Sequence, residues 1–274
     1  MQRAVLIMFV AMSLIPAGDA AGKLLTQTHG VAPIFVAWSR FAIGLLAILP
    51  FMPRSGWRLL RNWRIWARAA LLAGGISAIQ MALRLEEIAT VFAAFFVGPL
   101  LSYALAMVFL REAVTPLRSA LIVMGFCGVL VVVQPGGGAS VGLLWALLAG
   151  SCYGVFLVMS RWLGHLASPL ALTSTQLFIA AFLLLPLGLW HLPPLDLPVV
   201  ALTATSAVCS MLGNLLLLYA YQFAPATRVA PLVYFQLLAA VGLGWAVFGD
   251  LPDTWTWVGL GIIIVAGFGS ARLR

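Results

Sequence analysis

RSGWRLLRNWRIWAR, residues 54–68, carries five arginines and three tryptophans with no acidic residue. Three readings compete for it: a nucleic-acid patch, a membrane-surface anchor and a topology signal. The arginines are spaced 4, 3, 3 and 4 residues apart. At about 100° per residue, that confines them to about 120° of a helical wheel. Leu59, Leu60, Trp63 and Trp66 fall on the other side. The pattern predicts an amphipathic helix lying in a headgroup layer. A short loop between two apolar runs is a poor nucleic-acid surface, so no nucleic-acid partner is expected.

The rest of the chain decides what that surface is. Its 274 residues are 64% hydrophobic and 8% charged, with a mean hydropathy of +1.11. A soluble domain carries about 25% charged residues, so this chain lacks the polar surface that water requires. A bilayer core about 30 Å thick takes about 20 apolar residues per helix. Ten spans would use about 200 residues at that length and leave no soluble domain. Net charge is +8, and residues 54–68 supply five positive charges, so the basicity is largely local.

Apolar runs divided by Pro, Gly or charge give ten candidate helices: 4–22, 32–52, 66–83, 90–110, 117–134, 141–160, 169–190, 198–219, 227–248 and 254–271. Helices are expected because lipid-facing backbone must satisfy its own hydrogen bonds. An internal repeat runs through them. Pro33, Arg40 and Pro50 lie 136 residues before Pro169, Gln176 and Pro186, and Gly18 matches Gly154 at the same offset. Ala89-Thr90 matches Ala226-Thr227 at 137, and Glu112 matches Asp250 at 138.

These offsets predict an all-α integral membrane protein of ten transmembrane helices, built as two inverted five-helix repeats, residues 1–137 and 138–274. An odd number of spans per half forces the halves to enter the membrane in opposite senses. The N-terminal run resembles a signal peptide, but the repeat pairs it with the sixth span, so it is expected to stay. With both termini in the cytoplasm, twelve of the fifteen Lys and Arg residues fall in inner loops. Only Lys23 and Arg84 fall outside, and Arg40 lies within a span. That bias sets the expected orientation, in a bacterial-type inner membrane.

Several chemistries find no support in the pattern. QPGGGAS, residues 134–140, lacks the Lys-Ser/Thr of a phosphate loop, so no ATP site, cofactor or power stroke is expected. His29, His165 and His191 are scattered and lack metal-ligand spacing. Cys127, Cys152 and Cys209 sit in apolar runs without a CxxC pair and read as small buried thiols. An intramembrane enzyme or lipid-handling protein would need converging carboxylates, histidines or a Ser/Lys pair, and none converges.

WSRFAIGLLAILP, FLREAVTPLRSALIVMGFCGVLVV and LLLLYAYQFAPATRVAPLVYFQLLAAVGLGWAVFGDLPDTWTWVGLGIIIVAG together resemble the drug/metabolite transporter superfamily, in its EamA-type branch. The resemblance covers nearly the whole chain. It departs in the acidic turn of the second half, which is Gly-Asp, and in the Trp-rich opening of the helix after it. It implies a monomeric carrier whose helices three, four, eight and nine surround a central cavity. Members of the branch mostly export amino acids, and others move purines, nucleotide conjugates or sulfonium compounds. The expected substrate is an amino acid or similar small metabolite, with aromatic or neutral amino acids preferred, as in an aromatic amino-acid exporter.

Polar residues within the spans supply the site candidates, because a charge in hydrocarbon costs at least about 2.5–3.5 kcal/mol. Asp19 can pair with Lys23 at i,i+4 or with Arg40 across the first two helices; either charge could also serve coupling or substrate binding. Gln80, Tyr103, Tyr153, Gln176, Asn214, Tyr234 and Gln236 lie at middle depths and read as cavity-lining or helix-bridging groups. Pro16, Pro99 and Pro231 read as hinges. Gly125, Gly128, Gly259, Gly261 and Gly267 read as close-packing positions.

Overall fold

The computed structural model describes residues 2–109, 116–133, 140–223 and 235–272, and every regular element among them is helical. The chain runs through α1 (Gln2–Gln27), α2 (Pro33–Ile48) and α3 (Arg54–Leu59) to α4 (Trp63–Leu85). Then come α5 (Ile88–Phe95), α6 (Val97–Phe109), α7 (Pro116–Val133), α8 (Val141–Leu163), α9 (Pro169–Trp190) and α10 (Leu197–Phe223). α11 (Phe235–Leu243) continues into a π turn, Gly244–Phe248, before α12 (Thr254–Arg272). Glu112, Pro231 and Tyr234 lie outside the described residues.

Local chemistry explains where the helices start. Pro33 and Pro169 occupy first turns, where a missing N–H costs nothing. The side chains of Asn62, Ser140 and Ser168 accept the exposed N–H groups of Arg64, Leu143 and Ala171, at 3.0, 3.1 and 3.3 Å. Among the described residues, seven helices are long and apolar enough to cross a membrane. Three shorter apolar helices, Ser119–Val132, Phe235–Phe248 and Thr254–Ala266, accompany them. Trp190, Leu197, Phe109 and Leu46 stand out on the surface, as expected of a multi-pass protein whose solvent is lipid.

The main packing pairs are α1 on α10, α4 on α8 and α9, α6 on α8, α2 on α9 and α10, α1 on α11, and α7 on α12. Phe92 of α5 is fully buried where α4, α5, α8, α11 and α12 meet. Gly128 and Gly259 bring α7 and α12 to backbone contact: a Cβ on Gly259 would lie 2.7 Å from the Gly128 carbonyl. Gly125 packs near Leu100, whereas Gly261 faces open space and has no such role.

Three expectations are corrected. The stretch 54–68 is not one helix: α3 ends at Leu59, and α4 begins afresh at Trp63 behind the Asn62 cap. The fourth span breaks at Phe96, one turn before Pro99. Pro99 has no N–H for the Phe95 carbonyl and its ring crowds that oxygen, so the chain resets where the Phe96 N–H turns back to Phe92 and Ala93. Gly150 of α8 fills the dent, since a Cβ there would lie 2.5 Å from the Phe95 oxygen. The three thiols are not buried: Cys127 is exposed, and Cys152 and Cys209 are half-buried.

Candidate functional site

Three polar clusters interrupt the apolar bundle. The first joins α1, α2, α4 and α10. The Arg40 Nη1 donates to Asp19 Oδ1 at 2.5 Å, its Nη2 to the Gly18 carbonyl at 2.6 Å, and its Nε to Ser206 Oγ at 2.9 Å. Gln80 Nε2 donates to the same Asp19 oxygen at 3.1 Å, and Ser206 Oγ donates to Gly18 at 2.8 Å. Arg40 is 8% exposed and Asp19 3%. A buried charge is tolerable when paired and hydrogen-bonded, and each member here is both. The approach needs glycine on α1: a Cβ on Gly22 would lie 2.5 Å from Gln80 Oε1 and 3.0 Å from Arg40 Nη2.

A second cluster sits at one end of the bundle. Lys23 Nζ donates to the Glu86 carbonyl at 2.9 Å and to Asp250 Oδ2 at 3.3 Å, and lies 4.6 Å from the Phe248 ring centroid. The i,i+4 pair of Asp19 with Lys23 therefore does not form; each finds its partner on another helix. Asp250 reaches Lys23 because the π turn ends at Gly249, whose φ of +73° suits glycine. The Glu86 carboxylate accepts from Ser140 Oγ. Burial pushes the Glu87 carboxyl above its ordinary range; Asp250, Asp253 and Glu86 add to this, against the pull of Lys23.

The third cluster lies toward the opposite end of α4 and α8. Phe92, Phe95, Tyr153 and Phe156 form a run of rings, with centroid separations of 6.5, 5.2 and 5.8 Å between successive members. The Tyr153 and Phe156 planes are stacked at 28°. Arg68 closes the run, with its guanidinium carbon 4.7 Å from the Phe156 centroid. It donates from Nε to Ser160 Oγ at 2.8 Å and from Nη1 to the Leu172 carbonyl at 3.3 Å. Arg68 is 6% exposed, while Arg54, Arg58, Arg61 and Arg64 remain exposed. Arg64 instead lies 4.7 Å from the Trp162 ring.

The sequence candidates are thus divided. Gln80 belongs to the Asp19–Arg40 cluster, and its Oε1 is buried without a partner. Tyr153 belongs to the ring run. Tyr103 of α6 is half-buried, and its hydroxyl has no partner. Gln176 is half-buried on α9, one turn beyond Leu172, and Gln236 is buried on α11. Asn214 is exposed, and its amide turns back to the Ser210 carbonyl at 2.8 Å. Pro16 is buried within an uninterrupted α1. Arg68 was missed as a site residue because the arginine stripe absorbed it; its position inside the apolar run 66–83 was the available signal.

Comparison with known proteins gives the setting. Relatives include a riboflavin transporter of Brucella anthropi, 26% identical over 94% of this chain and 95% of the relative. A riboflavin transporter of Rhizobium johnstonii is 28% identical, over 94% of this chain and 86% of the relative. An S-adenosylmethionine uptake transporter of Rickettsia conorii is 26% identical, over 90% and 85%. None of the three is named for amino-acid export, the activity expected from the sequence. A solved crystal structure shares the fold, with a TM-score of 0.63 at 20% identity, covering 99% of this chain and 96% of the other. The profile of the EamA-like transporter family matches twice, over residues 2–134 and 140–271. On that double match, which takes in nearly every residue, the chain belongs to the EamA-like transporter family.

Proposed function

We propose that this protein is a ten-span carrier that moves a metabolite bearing a planar heteroaromatic ring, of the flavin or adenosyl type, by alternating access. The observation that carries this reading is the pair Phe95 and Tyr153, the two partly exposed rings of the run, beside the break at Phe96. Ring faces offer stacking to any flat heterocycle and little to an aliphatic amino acid. The names of the relatives support the same class.

The two-half architecture, 1–137 and 138–274, is supported by the packing pairs. Exchanging the first five spans with the last five turns α4 on α8 into α10 on α1, and α6 on α8 into α11 on α1. It turns α2 on α10 into α9 on α4 and leaves α2 on α9 and α7 on α12 unchanged. The arginine-rich end faces the cytoplasm of an inner-membrane monomer, following the charge bias. Pro99 serves as a hinge, and Tyr103 and Tyr153 face the substrate. Asp19 and Arg40 act as a structural link, because each already holds the other. That use also weighs against amino-acid export, for which these two charges would be the natural partners of a zwitterion.

The purified chain in proteoliposomes, offered labelled riboflavin, S-adenosylmethionine and a panel of amino acids, tests the proposal. Saturable movement of a heteroaromatic compound is expected. Movement of amino acids alone, or of nothing offered, would overturn it. Repeating the assay with an imposed pH gradient distinguishes coupled from facilitated movement.

A further inference from the structure

Arg68 has an environment unlike that of any other buried cation described in this bundle. Arg40 and Lys23 each hold a carboxylate. Arg68 meets a serine hydroxyl, a backbone carbonyl and a ring face, all of them neutral. Ser160 offers no hidden charge, since its own hydroxyl donates to the Phe156 carbonyl at 2.7 Å. Among the described residues, the guanidinium donates from Nε and Nη1 to protein acceptors. No carboxylate among those residues meets this guanidinium, whose fork geometry suits a carboxylate or phosphate.

Its surroundings also give it a direction. Ser160, Phe156 and Tyr153 follow one another at intervals of four and three residues along α8, so they share a face. From the level of Ser160 to that of Tyr153 the helix rises about 10 Å. Phe95 continues the run at the α5–α6 break. A buried charge at one end and stacked rings at the other make an elongated strip with two different ends.

We infer that Arg68 is the anion-receiving end of the substrate site, and that the ligand is a planar ring joined by a short chain to a carboxylate or phosphate. The inference rests on the carrier reading above and narrows it. The ring lies against Phe95 and Tyr153, and the anion completes the hydrogen bonding of Arg68. The Phe156 ring and Ser160 hold the guanidinium at that end of the run.

Two ligand pairs that differ in charge at one point provide the test: riboflavin 5′-phosphate against riboflavin, and S-adenosylmethionine against its decarboxylated form. Binding is measured to the full-length purified protein in a neutral detergent, with and without added phosphatidylglycerol. The carboxylate- or phosphate-bearing member of at least one pair should bind more tightly by about tenfold or more, the scale of a buried charge partner. Arg68→Gln should bring that ratio to about one and Arg68→Lys should restore part of it. Tyr153→Leu should weaken both members and leave the ratio unchanged.

The wild-type ratio needs no variant to fold, so it stands as a test by itself. Equal binding of both members overturns the inference while the carrier reading survives. Binding of neither member of either pair overturns both. A preference that persists in Arg68→Gln places the anion elsewhere. Competition by phosphatidylglycerol without any preference between the soluble pairs assigns Arg68 to a lipid headgroup, which also overturns the substrate role.

Discussion

Arg40 and Arg68 are both arginines buried within the bundle, and they are handled in opposite ways. Arg40 is met by groups from α1 and α10 that take up its charge and most of its hydrogen bonds, while Gln80 of α4 donates to the same Asp19 carboxylate. Arg68 meets a hydroxyl, a carbonyl and a ring, with no carboxylate among the described residues. Removing one member of a buried ion pair strands the other charge, whereas removing a charge that meets only neutral groups leaves no charge behind. The difference teaches that burial alone does not assign a role. What matters is whether the fold has already answered the charge.

The largest expected effect tests the answered one. Arg40→Gln leaves Asp19 buried and unpaired, which should cost about 3–5 kcal/mol of stability, read as thermal unfolding in detergent. Adding Asp19→Asn should recover much of that loss. Additive losses in the double variant would mean that the two charges do not balance each other. Next in size, Gly22→Ala forces a methyl against Gln80 and Arg40 and should cost about 1–3 kcal/mol. A neutral result there would show that α1 can withdraw without disturbing the cluster.

Arg68→Gln should change unfolding by less than about 1 kcal/mol, because it removes a desolvated charge along with its neutral contacts. A loss matching that of Arg40→Gln would erase the contrast and make Arg68 a structural tie between α4, α8 and α9. The smallest effect concerns Glu87, which lies at the acidic end away from both arginines. Its raised pKa means that the folded state holds this proton more tightly than the unfolded chain does. Its contribution is present at acid pH and lost as pH climbs from about 4.3, the free glutamate value, through the folded pKa. Glu87→Gln should therefore flatten the fall in unfolding temperature over that range; an unaltered pH profile would remove Glu87 from the balance at that end.

Much of the helical layout could be read from particular residues. Pro33, Asn62, Ser140 and Ser168 mark helix starts because capping is satisfied within a few residues of chain. The apolar runs between them have span length because lipid removes every alternative to an internally bonded backbone. Pro99 announced a break, though the chain resets a turn earlier, where the freed carbonyl sits. The arginine stripe was harder. A helical wheel assumes one continuous helix, and Asn62 restarts the helix, so the phase counted from Arg54 no longer holds at Arg68.

The candidate site was legible only in part. Asp19, Arg40 and Gln80 could be picked out as costly polar residues in apolar segments, and Tyr153 as an aromatic at middle depth. Which carboxylate Lys23 takes could not, since Asp250 is 227 residues away and Asp19 only four. Sequence by itself determined the solvent, the helices and the number of charges that must be answered, because these follow from composition and short-range hydrogen bonding. Only the tertiary structure decided that Arg40 takes a carboxylate and that Arg68, among the described residues, meets neutral groups, because that depends on which helix faces pack together across the whole length of the chain.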